Sequence, residues 1–153
     1  MTRGYFGIGI YHTKNGTNVG TLWRSAANMG AAFIFTVGRR YKQQSSDTVK
    51  AFKHIPLYHF ADMDDLREHI PHDCMLVGVE QHPDSSSLPD FPHPERAIYL
   101  LGAEDNGLSP DAVRYCHRLV EIPSDRCMNV AVAGSIVMYD RASKTRPVPV
   151  LSA

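Results

Sequence analysis

The chain has 153 residues, 43% of them hydrophobic, which is enough for one domain with a single sizeable core. Basic and acidic side chains balance at 16 each, so a nucleic-acid partner would have to be held by a local basic patch rather than by overall charge. No apolar run approaches the roughly 20 residues of a membrane-spanning helix, and three cysteines without a secretory segment predict a cytoplasmic protein with no membrane partner.

Strands and helices alternate along the chain. Apolar runs rich in β-branched and aromatic residues predict buried strands over 5–11, 32–37, 56–60, 74–79, 97–102 and 118–123. Helical patterns and capping residues predict helices over 18–29, 45–52, 63–70, 109–116 and 128–144. The stretch 82–95 predicts a surface loop. The alternation indicates one α/β domain over 1–153, with a mostly parallel sheet and flanking helices.

The first stretch with candidate chemistry is NVGTLWR, residues 18–24, in which Arg24 is the one charge on an apolar helix. A helix arginine commonly lays its aliphatic stem over apolar surface with its head in water. The alternative is that the guanidinium of Arg24 binds a phosphate, which its rigid fork suits.

The second stretch is GAEDNG, residues 102–107, directly after a predicted buried strand. Turn and capping preferences explain each of its residues except Glu104. An acid just beyond the carboxyl end of a strand lies where parallel sheets place their ligands. Glu104 is therefore a candidate to contact a ligand, or to orient Arg24.

The third stretch covers residues 121–136. It contains Ile122 and Pro123, then Asn129, and then a group of small residues at a helix start: Ala131, Ala133, Gly134 and Ser135. Small side chains allow the backbone to approach either a ligand or a neighbouring helix, and the pattern leaves both interpretations open.

Together, in order and spacing, these stretches resemble the three motifs of the SpoU/TrmH branch of the SPOUT RNA methyltransferases. The matching residues are Asn18, Gly20 and Arg24, then Gly102, Glu104 and Gly107, and then Ile122, Pro123 and Asn129. The resemblance covers nearly the whole chain. It implies a SPOUT-type fold with a C-terminal trefoil knot, which the general rules of chain connection do not predict. It also implies a homodimer through the first and last helices, with Arg24 near the partner's cofactor.

The resemblance also implies a site for S-adenosyl-L-methionine. The residues around the cofactor would be Gly102, Ile122, Cys127 and Met128, with Val79 or Gly78 at the end of an earlier strand. Arg24 would hold the RNA phosphate beside the target ribose and help to activate its 2′-hydroxyl, while Asn18, Glu104 and Asn129 fix the arginine and the hydroxyl. Because the pKa of a guanidinium lies above about 12, Arg24 is interpreted as a positioning and electrostatic group, with base action as a hypothesis.

One residue departs from the motifs. Cys127 stands two positions before Asn129, where the third motif usually has a serine, and the gap from Pro123 to Asn129 is also short. A thiol is a weaker hydrogen-bond donor than a hydroxyl. We interpret Cys127 as a tolerated serine substitute rather than as a buried small residue.

The resemblance therefore predicts S-adenosylmethionine-dependent 2′-O-methylation of RNA, with transfer RNA preferred over ribosomal RNA because the chain reads as catalytic domain alone. The alternatives are a ribosomal-RNA or base methyltransferase of the same fold, and a cofactor- and RNA-binding protein with little turnover. The run RRYK, residues 39–42, is the candidate for contact with the RNA backbone, and a solvated loop is the alternative. Near Cys74, His69 and His72 lack the spacing of a four-ligand zinc site, so no metal is expected.

Overall fold

The computed structural model describes residues 4–41 and 54–145, in which there are seven strands, four α-helices and one short 3₁₀ helix, Leu88–Asp90. The strands are β1 Tyr5–Tyr11, β2 Phe33–Val37, β3 Leu57–Phe60, β4 Met75–Val79, β5 Ser86–Ser87, β6 Arg96–Leu101 and β7 Arg118–Glu121. The helices are α1 Gly16–Asn28, α2 Met63–His69, α3 Pro110–Tyr115 and α4 Val130–Thr145. The helix predicted over 45–52 lies outside the described residues.

The strands form one sheet in the order β3-β2-β1-β6-β4-β7-β5. Every strand pair in the described part of the chain is parallel, which confirms the predicted α/β class. The carboxyl ends of all the strands therefore meet at one edge of the sheet. The strand order reverses between β1 and β6, and parallel sheets form their ligand crevices at such reversals. Threading of the chain into a trefoil knot stays a prediction.

The sheet is buried on both faces, which explains the continuous apolar runs of its strands. Successive side chains point to opposite faces: Tyr99 and Leu101 of β6 pack in the core beneath α1 and α4, whereas Ile98 and Leu100 pack in the core beneath α2 and α3. The glycines of β1 serve this packing, because a side chain at Gly7 or Gly9 would overlap the aromatic rings of β2. No described helix is long and apolar enough to cross a membrane.

Capping side chains set the helix starts. The side chain of Asn15 accepts a hydrogen bond from the Thr17 backbone N–H at 2.9 Å, so α1 begins two residues earlier than predicted. The side chain of Asn129 accepts from the N–H groups of the first turn of α4, so α4 begins at Val130 rather than at residue 128. Ser109 caps α3 as predicted, with its hydroxyl 3.1 Å from the Ala112 nitrogen.

The predicted surface loop over 82–95 is wrong in part. Ser86 and Ser87 form a short strand against β7, and Leu88 and Phe91 are buried in the core. The ammonium group of Lys144, near the end of α4, donates hydrogen bonds to the carbonyl groups of Leu88 and Phe91. The segment was predicted as a surface loop because it is rich in proline and serine, but its two apolar side chains, Leu88 and Phe91, pack in the core.

Candidate active site at the carboxyl edge of the sheet

A cavity of about 490 Å³ opens at the carboxyl ends of β4, β6 and β7. Five residues predicted to surround a cofactor line this cavity: Val79, Gly102, Ile122, Cys127 and Met128. Gly78, the alternative to Val79, faces the α3 side of the sheet, where a side chain would meet Cys116 and Leu119. The volume lies within the range of roughly 300–1,000 Å³ that is typical of small-molecule sites.

The cavity is acidic. Four carboxylates line it, those of Glu80, Glu104, Asp105 and Glu121, and none of its described lining residues is a lysine or an arginine. Apolar side chains such as Val79 and Ile122 form much of the remaining wall. A cavity with carboxylates and an apolar wall favours a ligand that carries positive charge and an apolar part.

A tight loop over residues 102–107 forms one wall of the cavity. The N–H of Gly107 donates to the Ala103 carbonyl at 3.0 Å, and the backbone of Gly107 has a φ of 60°, a conformation that favours glycine. A side chain at Gly102 would overlap the backbone of Gly107. Both glycines are therefore required for the loop that presents Glu104 at the cavity.

Glu80, which no sequence pattern singles out, also holds this loop in place. Glu80 directly follows β4, and its Oε2 accepts a hydrogen bond from the Leu108 N–H at 2.6 Å. The same carboxylate lies against Gly107, where a side chain would collide with it. Its place just beyond a strand end resembles that of Glu104, but only the tertiary structure identifies its partner.

The three motif stretches meet at Asn18, a buried residue of α1. The side-chain amide of Asn18 donates to the carboxylate of Glu104, and its Oδ1 accepts from the amide of Asn129 at 3.0 Å. The oxygen of Asn129 is occupied in capping α4. The orientation of each amide is thereby fixed, and Glu104 is held at the cavity by a chain of bonds that reaches α1 and α4.

Arg24 lies apart from this group. It stands six positions after Asn18 on α1, which on an α-helix is about 120° around the axis and about 9 Å along it. Arg24 is exposed, and no hydrogen bond or ion pair joins it to Asn18, Glu104 or Asn129 within the described part of the chain. Within one copy of the chain, Asn18, Glu104 and Asn129 bond to one another; their contact with an arginine stays a prediction.

Cys127 is exposed and lines the cavity, which removes the interpretation that it is a buried small residue. Cys127 lies in a loop that also contributes Ser124 to the cavity wall. That Cys127 takes the place of the serine of the third motif stays a prediction.

Both interpretations of the small residues at the start of α4 apply, to different positions. Ala133 lines the cavity. Gly134 packs against Leu22 of α1 and Leu101 of β6, and the Ser135 hydroxyl donates to the Ser25 hydroxyl at 3.0 Å. One face of α4 therefore packs closely on α1 and the sheet while the adjacent face borders the cavity.

The histidines near Cys74 do not form a cluster. Cys74 is buried in the core, whereas the side chain of His72 is 96% exposed. Among residues 4–41 and 54–145, no group of three or more His, Cys, Asp or Glu side chains is arranged to hold a metal ion.

Comparison with known proteins connects these residues to one family. The model of the SpoU rRNA Methylase family matches residues 6–139, a range that includes all three motif stretches. A curated relative, the mouse tRNA (guanosine(18)-2′-O)-methyltransferase TARBP1, is 30% identical over 134 residues, which are 81% of this chain but 8% of TARBP1. This chain therefore corresponds to a small part of that relative.

Two solved structures share the fold. The AdoMet-bound rRNA methyltransferase from Sinorhizobium meliloti superposes with a TM-score of 0.81 at 22% identity, over 95% of this chain and 58% of that one. A structure that describes the 2-OH methylation of C/U34 on tRNA gives a TM-score of 0.79 at 20% identity, over 95% of this chain and 100% of that one. At these identities the likeness establishes the fold.

Proposed function

The chain belongs to the SpoU rRNA Methylase family, and from this premise we propose that it transfers the methyl group of S-adenosyl-L-methionine to a ribose 2′-hydroxyl of RNA. The observation that carries the proposal is the acidic cavity at the carboxyl edge, with Glu104 held at it by Asn18 and Asn129. The family match and the AdoMet-bound relative from S. meliloti support the choice of cofactor.

The described residues fit this cofactor. S-adenosyl-L-methionine carries two cationic groups, a sulfonium and an ammonium, and four carboxylates line the cavity. Its adenine ring is flat and apolar on its faces, and the wall formed by Val79, Leu101 and Ile122 is apolar. We propose that these three residues, with the backbone of Gly102 and Met128, surround the cofactor.

When bound, the cofactor supplies a methyl group on a positively charged sulfur, which is already a good leaving group. The protein then has to align the 2′-hydroxyl with the methyl group and to receive the hydroxyl proton. We assign both tasks to Glu104: Asn18 binds its Oε1, and its Oε2 then accepts the hydrogen bond of the hydroxyl and receives its proton as the methyl group is transferred. Asn129 keeps the Asn18 amide in the orientation that this requires.

We propose that the site is completed by a second copy of the chain. Three apolar side chains at helical spacing, Val132, Ile136 and Tyr139, are 49%, 37% and 69% exposed on α4, and α4 packs beside α1, which carries the exposed Arg24. Pairing of these two helices with those of a second copy would cover the apolar stripe. It would also direct Arg24 toward the RNA phosphate at the partner's site, where its fork suits the anion.

The proposed substrate is transfer RNA, and the proposed location is the cytoplasm. The names of TARBP1 and of the structure concerned with C/U34 both refer to tRNA, whereas the family description and the S. meliloti relative refer to rRNA. Ribosomal RNA is therefore the second substrate to test.

The proposal is tested with the full chain, methyl-tritiated S-adenosyl-L-methionine and an unmodified transfer-RNA transcript. We expect label in the RNA with the wild-type protein. For Asn18→Ala, which frees Glu104, we expect a rate lower by about 10²-fold, the order of effect of one misplaced positioning group. Asn28→Ala, at the exposed end of the same helix, is the matched control and should keep the wild-type rate.

Label that enters neither transfer RNA nor ribosomal RNA, although calorimetry detects cofactor binding, would overturn the enzyme proposal. It would favour the alternative of a cofactor- and RNA-binding protein with little turnover.

A further inference from the structure

A second depression, of about 280 Å³, lies beside the acidic cavity. We call it the basic groove and define it by His12, Lys14 and Arg39. Three residues line both the groove and the cavity: Ala103, Asn106 and Gly107. The loop over residues 102–107, which presents Glu104, therefore separates the two depressions, and we call it the dividing loop.

The two depressions differ in charge. No aspartate or glutamate is among the described residues that line the groove, whereas four carboxylates line the cavity. Lys14 forms an ion pair at 2.7 Å with Asp105 of the loop that divides the two depressions. A neutral chain thus places positive charge on one side of a single loop and negative charge on the other, and the groove favours an anion.

The histidine of the groove is held in place by its surroundings. His12 has a φ of 52°, in the left-handed region that few residues other than glycine adopt. Its ring lies against Gly38, where a side chain would overlap it, and 4.2 Å from the ring of Tyr11, centroid to centroid. The backbone N–H of His12 donates to the Val37 carbonyl at 2.9 Å. Such unusual backbone is found where the structure over-determines it, often at functional sites.

Adjacent arginines divide between the groove and the surface next to it. Arg39 lines the groove, whereas Arg40 does not. Burial and, to a smaller extent, the charge of Arg40 lower the pKa of His59 on β3. The structure therefore separates two residues that the sequence groups together in one basic run.

We propose that the basic groove binds a backbone phosphate of the substrate RNA next to the target nucleotide, with His12, Lys14 and Arg39 as its contacts. This inference rests on the proposed function, since the substrate is RNA and the target ribose lies at Glu104, on the dividing loop. Lys14 exchanges Asp105 for the phosphate when RNA binds, so the ion pair is a competitor of the substrate.

The test is the affinity of the full chain for a fluorescent, unmodified transfer-RNA transcript, measured by anisotropy at several KCl concentrations. For Lys14→Gln and for Arg39→Gln we expect affinity lower by about tenfold at low salt, with a salt slope smaller by about one. For Asp105→Asn we expect tighter RNA binding, because Lys14 loses its competing partner. The Lys14 and Arg39 variants should keep the wild-type affinity for S-adenosyl-L-methionine in calorimetry.

Two arginines serve as matched controls. Arg40→Gln removes the neighbouring charge, and Arg118→Gln removes a charge at the amino end of β7, on the opposite edge of the sheet. Both should keep the wild-type salt slope. Equal losses for Arg39→Gln and Arg40→Gln would overturn the groove in favour of diffuse attraction.

Failure of the groove and failure of the proposed function give different results. If the wild-type chain binds and methylates RNA while Lys14→Gln and Arg39→Gln keep its affinity and slope, the groove alone is wrong. If the wild-type chain binds the cofactor but no RNA, the proposed function is wrong and the groove with it.

Discussion

Buried side-chain amides are rarely left without hydrogen-bond partners, and the partners of Asn18 fix the geometry of the site. Both ends of the Asn18 side chain are bonded, to Glu104 on the dividing loop and to Asn129 at the start of α4. Rotation of the amide would break both bonds at once. The position of the Glu104 carboxylate is therefore tied to the packing of two helices that lie far apart in sequence.

Cys127 provides a residue-scale prediction that needs no variant. Because Cys127 is exposed and lines the cavity, we expect iodoacetamide to modify it first at pH 8 and S-adenosylhomocysteine to slow this reaction. Burial raises the pKa of Cys74, and it raises the pKa of Cys116 to about 12, so these two thiols are internal controls that should stay unmodified.

Peptide mass spectrometry measures the modification of each cysteine. Modification of Cys127 at the same rate with and without S-adenosylhomocysteine would show that the ligand does not occupy this cavity.

At the residue scale, the sequence predicted the cluster better than it predicted the contacts. Asn18, Glu104 and Asn129 were identified because their types and spacing match three motifs. That they bond to one another depends on how α1 and α4 pack against the sheet, which spacing does not specify. Glu80 was missed because its partner, Leu108, lies on a different loop and contributes only a backbone N–H.

At the scale of elements, α4 is the helix on which the architecture depends. One face packs on α1 and β6 through Gly134, another borders the cavity through Ala133, and its last turns hold the 88–91 segment through Lys144. Because each face has its own contacts, bulk added on the α1 side should disturb the site as well as the fold.

Gly134→Val provides the element-scale prediction. A first side-chain atom at Gly134 would lie 2.6 Å from Leu22 and 2.9 Å from Leu101, and overpacking of this kind costs about 1–3 kcal/mol. We expect the midpoint of urea unfolding to fall accordingly. Ser143→Val, on the exposed side of the same helix, is the matched control and should change stability by less than about 0.5 kcal/mol. Equal stability of the two variants would mean that α4 does not pack as described.

The order of strands and helices along the chain was predictable from the sequence. Parallel strands that are buried on both faces consist of continuous apolar runs, and turn and capping residues mark the boundaries between these runs. All six predicted strands begin and end within two residues of strands in the structure, and β1 has its predicted bounds. The order of the strands was not predictable in this way, since β6 inserts between β1 and β4 through contacts distant in sequence. β5 was missed because two serines carry no apolar pattern.

At the scale of the whole molecule, we expect the stability of the fold to depend on pH because of one histidine, His93, that is hydrogen-bonded to α4. The side chain of His93 is fully buried; its Nε2 lies 2.7 Å from Asp140 and its Nδ1 lies 2.7 Å from the Tyr99 hydroxyl. A neutral ring with the proton on Nε2 donates to Asp140 and accepts from Tyr99. Burial lowers the pKa of His93 despite the carboxylate of Asp140.

The direction of the pH effect follows from this shift. Below about pH 6.5 the unfolded chain binds a proton at this histidine that the folded chain excludes, so stability falls as the pH falls. We expect the thermal midpoint to decrease between pH 7 and pH 5, and to decrease less steeply in His93→Gln. His72→Gln, which removes an exposed histidine, should keep the wild-type slope; identical slopes in the wild type and His93→Gln would refute the assignment.

The proposed pairing of two copies is also tested at the scale of the whole molecule. If the α4 stripe is the interface, Ile136→Glu combined with Tyr139→Glu should give a monomer in sedimentation and should abolish methyl transfer, because Arg24 then lacks a partner's site to reach. Tyr58→Glu changes another side chain, 50% exposed on β3, and should leave both properties unchanged. A wild-type chain that sediments as a monomer and methylates RNA would rule out the shared site.

We propose that the dividing loop separates an acidic cavity for the cofactor from a basic groove for RNA. Glu104 on this loop then aligns a ribose hydroxyl with the cofactor. The most direct test of this proposal is the identity of the product. Transfer RNA labelled by the wild-type chain is digested to nucleosides, and the labelled species is identified by mass spectrometry. We expect the methyl group on a ribose 2′-oxygen; label on a base would show that the loop does not align a ribose hydroxyl with the cofactor.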